Sequence, residues 1–242
     1  MKNKIIFCVL LISTIAQSQQ NFFNVPSSDI TESGKIFFQQ QFNFSKKDLV
    51  SNTTINYGLG NNFEIGLNYL GLTADEYKKL KFNTEEEPYN PFLTINSQKK
   101  FDINNQFSVA VGALLGFTTT KPSKLGYLVF SNFIYNNEEH HLKCVFGLYN
   151  TSNSFVGKEI RNFWNNEGIK EIGFQIGVEK KIYKNLLFQA DLISGKHTLG
   201  QTVVGLGYWV DKNIILSSGY QIPIMNSEAS HAAVLEFTYV PK

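Results

Sequence analysis

Between Thr53 and Tyr69 the chain alternates apolar and polar positions with a period of two. Ile55, Tyr57 and Leu59 share one face, and Phe63, Ile65, Leu67 and Tyr69 resume it after Gly60-Asn61-Asn62. The other face carries Thr54, Asn56, Gly58, Glu64, Gly66 and Asn68. This alternation is that of strands with two unlike faces. Gly-Asn-Asn suits a three-residue hairpin loop with its last residue, Asn62, in the left-handed conformation.

The same pattern runs along the chain. Lys35 to Phe44 opens it, with Ile36, Phe38, Phe42 and Phe44 against Gln39, Gln41 and Asn43. After the hairpin come strands at 90–101, 107–117, 126–136 and 141–149. In the segment 126–136 both faces are apolar, so periodicity does not assign its facing. Ile172, Phe174, Ile176 and Val178 then oppose Gly173, Gln175, Gly177 and Glu179, followed by strands at 186–194, 201–210, 214–221 and 231–239. The total is twelve strands of roughly the 9–11 residues that cross hydrocarbon when tilted.

Connections alternate in length. Tight turns at Gly60-Asn61-Asn62, Tyr183-Lys184-Asn185 and Asp211-Lys212-Asn213 all end in Asn, the non-glycine residue most tolerant of positive φ. Gly71 to Tyr89 and Asn150 to Glu167 are long. With the N-terminus in the periplasm, the tight turns fall on that side and the long loops outside, as in outer-membrane barrels. The fold class is therefore all-β: a transmembrane antiparallel up-and-down barrel of about twelve strands.

In such a barrel the apolar face meets lipid and the polar face lines the lumen. The lining set is Asn56, Glu64, Asn68, Thr94, Asn96, Gln175, Glu179, Gln189, Asp191 and Glu236, with Glu179 opposite Gln189 across the Tyr183-Lys184-Asn185 turn. So many polar groups would be costly in a dry core. Two readings stay open at twelve strands, a plug of hydrogen-bonded side chains or a wetted lining. Phe63, Tyr69, Tyr208, Tyr220 and Tyr239 lie near strand ends, where aromatic girdles form.

The first residues change the picture of place. Lys2 and Lys4 precede an apolar run from Ile5 to Ala16, and Ala16-Gln17-Ser18 makes a cleavage site. Residues 1–18 thus read as a secretory signal peptide. About 12 apolar residues are too few for a helical span, which needs about 20. Cys8 lies too early for a lipoprotein site. Residues 19–34 read as a periplasmic lead-in without periodicity, and 35–242 as the barrel. Removal of Lys2 and Lys4 leaves 20 basic against 20 acidic residues. With no basic tract, nucleic acid is not an expected partner. Only Cys144 remains, so no internal disulfide forms.

Catalytic chemistry has few candidates. His140, His141, His197 and His231 show no zinc spacing. Ser194 with His197 and Ser230 with His231 are the pairs a lipid hydrolase would use, but neighbours on one strand point apart. No nucleotide, phosphate or calcium motif is present, and no cofactor or metal is expected.

On the signal peptide and the segment Tyr57 to Leu70, the chain resembles outer-membrane β-barrel proteins of Gram-negative bacteria, including the meta-pathway phenol-degradation-like barrels. The resemblance covers most of residues 35–239. It implies outer-membrane lipid and the barrel-assembly machinery as partners, and passage of small solutes. Such barrels commonly end on an aromatic residue, whereas here Tyr239 is followed by Val240-Pro241-Lys242. The expected activity is a passive, non-enzymatic channel for small solutes through a polar lumen. The alternatives are a plugged barrel with a structural or surface-binding role, and a lipid-modifying enzyme.

Overall fold

The computed structural model describes residues 22–157 and 172–241. The signal-peptide reading falls outside the described residues. Described strands are β1 (Ile36–Ser45), β2 (Asp48–Gly60), β3 (Phe63–Asp75), β4 (Lys79–Lys81), β5 (Phe92–Asp102), β6 (Phe107–Thr118) and β7 (Leu125–Asn137). There follow β8 (Leu142–Thr151), the single helical turn α1 (Asn153–Val156), β9 (Gly173–Tyr183), β10 (Leu186–Ile193), β11 (Gln201–Asp211), β12 (Ile214–Pro223) and β13 (Ala232–Tyr239). Each alternating segment of the sequence is one of these strands.

Every pairing along the ring is antiparallel between neighbours. β1 pairs with β2 on one side and with β13 on the other, Phe38 facing Ile55 and Tyr239. The sheet is thereby a closed barrel of twelve strands with no free edge. β4 stands outside the ring and pairs only with the end of β3, Thr73 to Asp75.

The two faces are inverted relative to a water-soluble barrel. Leu67 is 52% exposed while its neighbour Asn68 is 4% exposed. Ile55, Ile95, Leu115, Phe146, Ile176 and Leu206 are likewise exposed in a belt around the outside. Only hydrocarbon makes such a surface stable, because in water a contiguous apolar belt of this size would associate.

Two local expectations change. The first hairpin has a two-residue loop, Asn61-Asn62, with both residues at positive φ, and Gly60 also has positive φ. Paired positive-φ residues match the right-handed twist of the strands better than the three-residue form. The left-handed residue of the next tight turn is Lys184 rather than Asn185, and Asn213 is not left-handed. Asn185 and Asn213 act through their side chains, donating to the carbonyls of Trp209 (3.1 Å) and Val240 (2.7 Å).

A larger correction concerns the lead-in. Residues 22–31 of it lie inside the barrel rather than beyond its end, and only 32–34 are exposed. Phe22 and Val25 are fully buried among Ala110, Phe130, Ile134, Val145, Tyr149 and Ile193, and Phe23 packs with Val203 and Val234. The interior is thus part apolar, which explains why the segment around β7 has two apolar faces. Phe130 and Ile134 point inward to meet the lead-in, while Val129 and Phe133 face out. Inward glycines make the room. A Cβ at Gly177 would stand 2.1 Å from the Phe22 ring, and one at Gly205 2.7 Å from Phe23.

Candidate functional site

The lumen has two parts. Toward the tight-turn end it is filled by side chains and the lead-in; toward the long-loop end it opens as a cavity.

In the filled part, alternation aims polar residues from facing strands at one another. Asn96 Nδ2 donates to Asn56 Oδ1 and Asn68 Oδ1, both at 2.9 Å. Asn56 Nδ2 donates to Glu64 Oε1 (3.1 Å), and Asn68 Nδ2 to Thr94 Oγ1 (3.0 Å). Across the barrel Gln189 Nε2 donates to Glu179 Oε2 at 2.8 Å, the pair placed in register by β9 and β10. Glu236, from β13, accepts from Thr238 Oγ1 at 3.3 Å. All ten lining residues read from the sequence are buried and inward. They form two separate walls, one around Asn96 and one around Glu179, rather than one ring.

The lead-in is tied to both walls by charge-assisted hydrogen bonds. Asp191 Oδ2 accepts the backbone N–H groups of Phe23 (3.1 Å), Asn24 (2.5 Å) and Val25 (2.9 Å). Three donors converging on one carboxylate oxygen form an anion-binding nest in which the carboxylate belongs to the barrel. Glu64 Oε2 accepts from the N–H of Thr31 at 2.7 Å and from its hydroxyl at 2.8 Å. Lys143 Nζ pairs with Asp29 and faces Glu179 in register. Asn132 Nδ2 donates to the Pro26 carbonyl (2.9 Å) and to Ser28 Oγ (3.0 Å), while its Oδ1 accepts from Gln175 Nε2 (2.6 Å).

Lys143 and Asn132 were not in the set drawn from the sequence. Both alternate correctly with their neighbours, but Asn132 sits in the doubly apolar segment. The partners of Lys143 are remote in the chain.

Above the filled part lies a cavity of about 420 Å³. Its floor is the lead-in at Phe23, Asn24 and Pro26. Its walls include Gln39, Gln41 and Asn43 of β1 and Gln221 of β12; Asn43 Nδ2 donates to Gln221 Oε1 at 3.2 Å. Of the ten sequence-derived lining residues, Asn56, Glu64, Asn68, Asn96 and Gln175 reach this cavity. Thr94, Glu179, Gln189, Asp191 and Glu236 do not border it. The rim is formed by loops that hold one another: Tyr89 N–H donates to the Ser154 carbonyl (3.0 Å), and Thr198 N–H to that of Val156 (3.1 Å).

The hydrolase pairs do not assemble. His197 is fully buried, its Nδ1 accepting the Leu199 N–H at 3.1 Å. Nε2 therefore holds the proton and donates to Tyr149 Oη at 2.7 Å, while the phenol hydrogen goes to the Ser194 carbonyl. Ser194 Oγ accepts from the Phe174 N–H at 2.8 Å. His231 stacks near Tyr220, ring centroids 5.9 Å apart, with Ser230 donating nothing to it among the hydrogen bonds of the described residues.

No protein-family model and no curated protein matches the chain. Solved structures do. A KdgM porin, solved with disordered oligogalacturonate, superposes with a TM-score of 0.58 at 11% identity, covering 85% of this chain and 99% of that one. A NanC porin gives 0.55 at 9% identity over 86% and 100%. An outer-membrane channel from Pseudomonas putida F1 gives 0.50 at 8% identity over 88% and 98%. At these identities the likeness concerns the fold: this chain shares the barrel architecture of outer-membrane porins and channels.

Proposed function

We propose that the protein is a porin-like passive channel of the bacterial outer membrane, conducting small solutes through a polar lumen gated by its own N-terminal segment. The carrying observation is the cavity at the long-loop end, lined by amides and apolar side chains and continuous with a lumen whose inner part holds residues 22–31. The exterior belt supplies the contact with outer-membrane lipid. Export through a cleaved leader at 1–18 and insertion by the barrel-assembly machinery complete this reading. The kinship proposed within the outer-membrane barrels is with the phenol-degradation-like type, on the segment Tyr57 to Leu70.

Passage requires the segment to move, because Phe22, Phe23 and Val25 fill the lumen between facing walls. Its hold is polar as much as apolar, so it can exchange hydrogen bonds for water on leaving. Mature protein in planar bilayers is expected to show brief openings. A variant lacking residues 22–34 is expected to show a larger, steady conductance. If neither form passes ions at any voltage, the channel reading falls and a closed structural barrel takes its place.

A further inference from the structure

The cavity at the long-loop end carries a chemical selectivity of its own. Its described lining contains no lysine, arginine or histidine. Carboxylates are present, with Asp48 and Glu228 toward the rim and Glu64 in the wall below. Among the described lining residues an anion entering here would meet carboxylates and no cation to replace its hydration; Lys124 stands behind the lining, its Nζ 5.3 Å from the Tyr89 ring centroid. What the walls do offer is amides. Gln41, Asn43, Gln201 and Gln221 all border the space. Each amide is donor and acceptor at once, the property needed to bind hydroxyl groups, which are also both.

The opposite side of the mouth is aromatic. Tyr89, Phe92 and Phe155 line it, and Phe155, on α1, meets Phe92 edge-on with centroids 5.1 Å apart. Flat apolar faces beside convergent hydrogen-bonding groups suit a molecule with both C–H surfaces and hydroxyls. The volume of about 420 Å³ falls within the range of small-molecule sites, about 300–1,000 Å³.

We propose that this cavity is a binding site for an uncharged, hydroxyl-rich solute, a mono- or disaccharide-sized sugar, and that it disfavours the acidic counterpart of the same sugar. Amides from β1 and β12 engage the hydroxyls, and Phe155, backed by the buried Phe92, receives the C–H face. The site rests on the channel reading for its purpose but not for its chemistry.

The test uses the full mature chain in detergent micelles and in planar bilayers, with maltose and its oxidised, anionic counterpart maltobionate as probes. Saturation-transfer NMR is expected to show maltose bound and maltobionate unbound, and maltose is expected to interrupt the ion current. Phe155→Ala lies outside the barrel strands and is expected to weaken maltose binding about tenfold, with the strand content unchanged. Gln41→Lys is expected to admit maltobionate. Binding of maltobionate as strong as that of maltose, or no binding of maltose, overturns the proposal even where ion current persists. Maltose binding without any ion current leaves the site standing and removes the channel.

Discussion

Asp191 and His197 show how a buried polar side chain is defined by what it accepts. Asp191 receives three main-chain N–H groups from a segment more than 160 residues away. Alternation placed it inward, yet no local pattern could have announced the partner, because the lead-in has no periodicity of its own. Asp191→Ala strands three donors, each costing about 1–3 kcal/mol if left unpaired. Hydrogen exchange at Phe23, Asn24 and Val25 is expected to accelerate at least as much as at any barrel strand; unchanged protection there would refute the anchor. His197 lies in the loop after β10, where burial holds its imidazole down at about 4 against a nearby Glu228 that pulls upward. Once the loop opens, the imidazole returns to about 6.5. The closed loop is therefore indifferent to pH above that value and loses stability as pH falls from 6.5 toward 4, by about 3 kcal/mol in all. The protection factor of the Leu199 amide is expected to drop over this window, and His197→Gln to flatten the dependence.

At the scale of elements, the strands were legible because lipid and lumen impose opposite polarity on adjacent residues. Leu67, 52% exposed between Ile55 and Ile95 in register, is a lipid-facing position. Arginine there is expected to cost about 2–4 kcal/mol in the bilayer. The inward control must be chosen with care. Asn68 and Gln175 look tolerant from alternation alone, but both are enclosed by hydrogen-bonded neighbours. Thr54, which borders the cavity and is half-buried, is the better site. Thr54→Arg should cost less than 1 kcal/mol by the usual tolerance of accessible positions, about ±0.5 kcal/mol. Urea-unfolding midpoints of the two variants in lipid vesicles would measure the difference, and equal losses would mean the belt is misassigned. Turn geometry was less legible, since Asn serves the tight turns in two ways. At Asn61-Asn62 it accepts positive φ, and at Asn185 and Asn213 it caps a carbonyl.

For the whole molecule, closure follows from strand count and register, both of which alternation supplies. The occupancy of the lumen does not, because it depends on a polar, aperiodic segment finding complementary groups around the ring. Phe22 and Phe23 needed inward gaps, and the sequence had shown those gaps only as glycines on the polar face of their strands. Among the described residues, the interior that results carries the buried carboxylates Glu64, Glu179, Asp191 and Glu236 against the buried Lys143 and the partly exposed Lys100, which pairs with Asp102. Two of these carboxylates, Glu64 and Asp191, hold the lead-in, and Lys143 holds it through Asp29. Removing residues 22–34 takes Asp29 away but exposes the acidic groups it left behind, so the vacated lumen has a negative potential that concentrates cations. Under a potassium chloride gradient the truncated barrel is expected to pass potassium several-fold better than chloride, a preference that falls as salt shortens the screening length to about 3 Å near 1 M. Glu64→Gln with Asp191→Asn in the truncated barrel should reduce the preference without narrowing the pore. A reversal potential favouring chloride would show that the loops, rather than these carboxylates, set the field along the path.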